Sequence, residues 1–98
     1  MSRKISNLSQ SAYIQASESY CLFIQADGKV QMKTRPIKFF EEILEENGWC
    51  RIHRSYFVNP QFCYGFTENR NSIRMQNGKE LPISRRKRKY VMSKLINS

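Results

Sequence analysis

The sequence predicts one small, mainly β domain with one clear helix inside it and a short helix at its end. Three observations carry that prediction. The chain has 98 residues, enough for a single hydrophobic core and too few for two. Short runs of branched and aromatic residues are divided by the turn pairs Asp27-Gly28 and Asn77-Gly78, which favour tight hairpins. Only one internal segment, Ile37 to Glu46, repeats its apolar residues at helical spacing. With 40% hydrophobic and 12% aromatic residues the chain can fill a core, which excludes a wholly disordered polymer.

The elements follow in order. Met1 to Ser11 is polar and Ser-rich, and is expected to be a flexible segment or linker end, leaving 12–98 as the folded domain. Ala12 to Ala16 reads as a first strand, broken by Ser17-Glu18-Ser19. Tyr20 to Ala26 reads as a second strand, and Lys29 to Thr34 pairs back on it across Asp27-Gly28. After Pro36, the residues Ile37, Phe40, Ile43 and Leu44 form one helical face, with Glu41, Glu42, Glu45 and Glu46 on the other. Asn47-Gly48 ends this helix, and its acidic face is expected to point away from any polyanion.

The second half returns to strands. Trp49 to His53 and Tyr56 to Val58 flank the polar pair Arg54-Ser55, and Pro60 marks a turn. Phe62 to Thr67 is another strand, followed by the loop Glu68 to Asn71. Ser72 to Gln76 and Lys79 to Ile83 form a hairpin around Asn77-Gly78. Ser84 is a candidate cap for a basic terminal helix whose apolar residues are Tyr90, Val91, Leu95 and Ile96. A single good internal helix argues against a helix-turn-helix.

Charge narrows the function. The chain has 17 Lys and Arg against 8 Asp and Glu, a net charge of +9. Residues 1–49 carry six basic and six acidic groups, whereas residues 50–98 carry eleven basic and two acidic ones. The whole surplus therefore lies in the second half. Such a balance implies a polyanionic partner, nucleic acid first and an anionic surface second. Ser84 to Lys89 holds five consecutive cations, suited to neutralising phosphates, and Arg can also lie bidentate on guanine. Cations at a helix start oppose the helix dipole by about 0.3–1 kcal/mol each, which itself suggests a counter-anion. Arg54 and Ser55 fall where the strand pattern loosens and should project from a loop. Arg70 and Arg74 add charge, and Arg51 either reaches phosphate or pairs with Glu18 or the acidic helix.

Other chemistry is poorly supported. No apolar run is long enough to cross a membrane as a helix, and none at the N-terminus has signal-peptide length. Cys21, Cys50 and Cys63 are odd in number and not closely paired, which fits reduced cytosolic thiols. Cys50 and His53 with Cys63 make only half a metal site, and a Cys/His nucleophile lacks an orienting group. Neither an enzyme, a metal nor a cofactor is expected. Tyr13, Tyr20, Phe23, Tyr56, Phe57, Phe62, Tyr64 and Phe66 have the spacing of core residues, although such rings also stack bases in single-strand binders.

The run Cys50-Arg51-Ile52-His53-Arg54-Ser55-Tyr56-Phe57-Val58-Asn59, followed by Leu81-Pro82-Ile83-Ser84-Arg85-Arg86-Lys87-Arg88-Lys89, resembles the LytTR (LytR/AlgR-type) DNA-binding domain family. Tyr13-Ile14-Gln15-Ala16 with Tyr20 is similar to the family's opening strands, and the likeness runs from Ala12 to Val91. The resemblance implies an elongated fold of small antiparallel sheets with one or two short helices. It implies a cytoplasmic bacterial transcription regulator, commonly a two-component response regulator with a receiver domain. It further implies binding to double-stranded DNA at tandem repeats, with loops in successive major grooves and a bent duplex. Base contacts would come from Tyr20, Arg54 and Arg86. Backbone contacts would come from Ser19, Ser55, Arg51, Ser84, Arg85, Lys87 and Lys89. Ser17-Glu18-Ser19 departs from the glycine and asparagine common at that loop, which puts Glu18 near phosphates unless it is paired or accepts from a cytosine amino group. A monomer that pairs on DNA is expected. An RNA or single-strand binder and a basic protein-interaction module are the alternatives.

Overall fold

The computed structural model describes residues 8–96. Five of the branched and aromatic runs make one antiparallel sheet: β1 (Ser11–Ala16), β2 (Cys21–Gln25), β3 (Val30–Lys33), β4 (Cys50–His53) and β5 (Tyr56–Val58). Its strand order is β3-β2-β1-β5-β4. A second sheet holds β6 (Cys63–Phe66), β7 (Ser72–Met75) and β8 (Glu80–Pro82) in sequence order. The helices are α1 (Glu41–Glu46) and α2 (Arg88–Ile96). The molecule extends 36 Å along one axis and 25 Å along the other two.

Local chemistry sets the turns. Gly28 and Gly78 sit at φ 93° and 92°, a region that costs glycine little, and each closes a hairpin where the sequence predicts one. The acidic helix ends as its Asn47-Gly48 signal implies. Trp49 N–H donates to Leu44 C=O and Gly48 N–H to Glu45 C=O, both at 3.0 Å, a Schellman arrangement.

The five-stranded sheet is the middle layer, and alternation along its strands feeds two cores. On one face Ile14, Cys21, Phe23 and Phe57 pack under Ile37, Phe40, Ile43, Leu44 and Trp49. On the other face Ala12, Ile24, Cys50, Ile52 and Val58 meet Ile73, Met75 and Leu81 of the second sheet, Ile83, and Val91 of α2. Each strand is short, yet burial on both faces fixes the register of β1, β2, β4 and β5, while the edge strand β3 stays largely exposed.

Four details differ from the sequence expectation. The segment Ile37–Phe40 winds as a 3₁₀ turn before α1. Residues three apart eclipse in a 3₁₀ turn, which sends Ile37 and Phe40 into the core together. The folded segment starts before residue 12. Leu8–Gln10 form a 3₁₀ turn, and Ser11 is buried because the Asn59 Nδ2 group donates to its carbonyl at 3.0 Å. The rest of the expected flexible stretch, Met1 to Asn7, lies outside the described residues. Ser84 makes no side-chain cap; its carbonyl instead accepts from Lys87 N–H at 3.0 Å, opening a 3₁₀ turn, Arg85–Lys87, that leads into α2. On α2, Val91 is buried and Leu95 half-buried, while Tyr90 is 46% exposed; the Ile96 side chain lies outside the described residues.

Ile52 is fully buried in the cluster that also holds Ile73, Met75 and Leu81 of the second sheet and Val91 of α2. Ile52→Ala is expected to cost about 2–5 kcal/mol, read as a lower midpoint in urea with an unchanged slope.

Candidate nucleic-acid interface

The antiparallel order puts the end of β1, the start of β2, the end of β4 and the start of β5 at one end of the sheet. The loops there are Ser17 to Tyr20 and the two-residue turn Arg54-Ser55. Ser17 N–H donates to Tyr20 C=O at 2.9 Å and closes the first loop. Ser19 is exposed, and Tyr20 is 38% exposed although its neighbour Cys21 is fully buried. Ala16 N–H donates to Ser55 C=O at 2.7 Å, which ties the second loop to the first. A third segment joins at the free edge of β4, where Ser84 N–H donates to Ile52 C=O at 2.8 Å. Arg85, Arg86 and Lys89 follow as exposed cations; Ser84 and Lys87 are half-buried.

The Arg54 turn is held from behind. His53 Nδ1 accepts the Ser55 N–H at 3.1 Å, the two-residue reach of an Asx turn. The His53 ring also lies 5.8 Å from that of Tyr56. His53 thus has a structural task that the sequence pattern did not disclose. Its signal was an acceptor side chain two residues before a polar turn position.

Arg51 sits behind the turn as well. Alternation sends Ile52 to the second-sheet face and Arg51 to the α1 face. There its guanidinium lies 5.7 Å from the Phe57 ring centre, and Nη1 is 2.5 Å from Glu41 Oε1. Nη2 donates to Arg54 C=O at 2.6 Å and Nε to His53 C=O at 3.3 Å. Of the two readings left open by the sequence, the geometry favours the acidic helix over phosphate. The α1 face accordingly does not turn away as a whole, since Glu41 stands against the Arg54 turn.

Other candidate groups lie elsewhere. Arg74 pairs across strands with Glu80 at 2.8 Å, with both side chains about half exposed, so the pair contributes only about 0–1 kcal/mol. Tyr13, Phe23 and Phe57 are core; Tyr56, Phe62 and Phe66 are half-buried; Tyr64 is 77% exposed on the second sheet. Burial pushes the Cys63 thiol up to about 12 and Cys21 up to about 11, and raises Cys50 also. None of the three is a thiolate nucleophile near neutral pH. Among the described residues no three His, Cys, Asp or Glu side chains gather as metal ligands. No described helix is long and apolar enough to cross a membrane.

The LytTr DNA-binding domain model matches residues 3–96. The chain belongs to the LytTR DNA-binding domain family. Among solved structures it is similar to a LytTr DNA-binding domain assigned to a methyl-accepting/DNA response regulator from Bacillus cereus. The TM-score is 0.76 at 21% identity, over 89% of this chain and 82% of that one, a likeness of fold. No curated protein matches the chain. The LytTR fold explains why strands this short persist: every strand of the larger sheet is covered or paired by another element of the same domain. DNA binding is the family's activity.

His53→Ala removes the acceptor for Ser55 N–H and is expected to cost about 1 kcal/mol. Amide exchange at Ser55 should quicken in that variant, whereas His53→Asn, which keeps a short acceptor, should hold it near the wild-type rate.

Proposed function

We propose that this domain is the sequence-reading part of a bacterial response regulator and grips double-stranded DNA with three loop segments. One observation carries the reading: backbone hydrogen bonds gather Tyr20, the Arg54 turn and the Ser84–Arg86 segment at one end of one sheet. Tyr20, Arg54 and Arg86 are the base-reading residues. An exposed Arg suits the two acceptors of guanine in the major groove. Ser19, Ser55, Ser84, Arg85, Lys87 and Lys89 are the backbone contacts, which fix register without reading sequence. Arg51 acts as a positioning residue, holding the Arg54 carbonyl while Glu41 balances its charge.

The length of the molecule supports the same reading. Its 36 Å long dimension is about one turn of B-DNA, a size compatible with contacts in neighbouring grooves. Engaging both from one side favours a bent duplex, and a tandem-repeat operator would seat two copies that are monomers in solution. The folded domain proposed is the span from residue 12 onward together with the ordered Leu8–Ser11 lead-in, served in the full regulator by a receiver domain and working in the cytoplasm.

Selection of sites from a random duplex library tests this. The expected outcome is a tandem repeat bound about a thousandfold more tightly than a scrambled duplex. Arg86→Ala should then lose about 1–3 kcal/mol on the selected site with relaxed preference at one position. Lys89→Ala should weaken all duplexes alike and lower the salt slope by about one. Tighter binding to single strands, with losses at Tyr64 exceeding those at Arg86, would replace the duplex reading with the single-strand one.

A further inference from the structure

Two successive peptide groups bond to opposite neighbours. Ser84 N–H donates to Ile52 C=O of β4 at 2.8 Å, and Ile83 N–H donates to Asn71 C=O at 2.9 Å. The segment leading to Arg85 and Arg86 therefore runs between the end of β4 and the loop that joins β6 to β7. That loop, from Thr67 to Asn71, occupies the side of the cationic segment opposite the Arg54 turn.

The loop is built rather than slack. Thr67 N–H donates to Ser72 C=O at 2.9 Å, and Ser72 N–H returns to Thr67 Oγ1 at 3.2 Å. Arg70 N–H donates to Thr67 C=O at 2.9 Å, and Asn71 N–H to Asn69 Oδ1 at 3.1 Å. Arg88 of α2 donates through Nη2 to Asn71 Oδ1. At its tip Arg70 adopts φ 60°, the one non-glycine residue with positive φ among the described residues. Glycine or asparagine takes that conformation more readily than arginine, so the position keeps its cation against the backbone's preference. Arg70 is exposed and has no ion-pair partner among the described residues; Glu68, the loop's one acidic group, is exposed too.

A groove separates this loop from the cationic segment, lined by Asn71, Ile83, Arg85 and Arg88. Its Arg88 Nε is buried and makes no hydrogen bond among the described residues. A charged group with an unanswered donor favours added negative charge nearby, and an anionic oxygen in the groove beside Arg85 would supply it.

We propose that the Thr67–Asn71 loop is a fourth DNA-contact element, with Arg70 and the Arg85–Arg88 groove holding a backbone phosphate that flanks the base pairs met by Arg86. This inference rests on the duplex-binding reading above. The contact is sequence-independent. It widens the footprint on the side of the second sheet and fixes how the segment carrying Arg86 enters its groove.

The test uses the full chain and a selected duplex, with affinity measured across a salt series for Arg70→Asn, Arg70→Gly and Arg70→Lys beside Arg86→Ala. Arg70→Asn and Arg70→Gly should melt no lower than wild type, because both accept the left-handed backbone. Both should bind cognate and scrambled duplex several-fold more weakly, with the salt slope lower by about one. Arg70→Lys should keep the slope. Trimming the duplex at the end that Arg70 reaches should erase the difference between Arg70→Asn and wild type. Unchanged affinity and slope in Arg70→Asn, with Arg86→Ala still losing specificity, would overturn the fourth contact and leave the duplex reading standing. A loss of affinity with unchanged slope and a lower melting temperature would make Arg70 structural and would also overturn it. Unchanged binding in both Arg70→Asn and Arg86→Ala would remove the duplex reading itself.

Discussion

Two main-chain hydrogen bonds hold the cationic end of this molecule together. Ala16 N–H to Ser55 C=O joins the two loops of the larger sheet, and Ser84 N–H to Ile52 C=O fastens the basic segment to its free edge. Neither bond depends on a side chain. Both depend on strand register, and register is fixed because β1, β4 and β5 are buried on both faces. The core is thus coupled to the interface: Phe57 and Val58 on β5 and Ile52 on β4 set where Arg54 and Ser84 stand. Sheets carry little net dipole, so the field at this end comes from the side chains and from the start of α2.

Acidic groups shape that field. Glu41 meets Arg51 behind the Arg54 turn, and Glu80 meets Arg74 on the second sheet. Each pair takes a cation out of the reckoning, leaving Arg54, Arg85, Arg86 and Lys89 among the exposed cations. The cations that open α2 oppose its dipole, an arrangement that a bound polyanion relieves. The cysteines take no part, since burial keeps them protonated.

Much of the fold was legible in the sequence because its signals are local. Asp27-Gly28, Asn77-Gly78 and Asn47-Gly48 each mark a change of direction that the backbone makes, and the runs between them become strands within a residue or two. The neighbours of each strand were not legible. Nothing local says that β1 lies between β2 and β5, or that β6 leaves to start a second sheet, because those choices follow from long-range burial. The site shows the same division. Charge counts located the basic half, and the family resemblance named the three segments. Three things required coordinates: the partner of Arg51, the acceptor role of His53, and the failure of Ser84 to cap through its hydroxyl. Each depends on which atoms a neighbouring strand brings within reach.

Three segments distant in sequence meet at one end of the larger sheet and, as proposed, face DNA together. Amide chemical shifts recorded while a selected duplex is titrated into the labelled domain test it most directly. Signals of Ser17 to Tyr20, Arg54-Ser55 and Ser84 to Arg86 are expected to move together with one binding curve, while those of Glu45, Glu46 and the exposed Tyr64 stay in place. Shifts centred on Tyr64 and the second sheet, with the Arg54 turn unmoved, would contradict it.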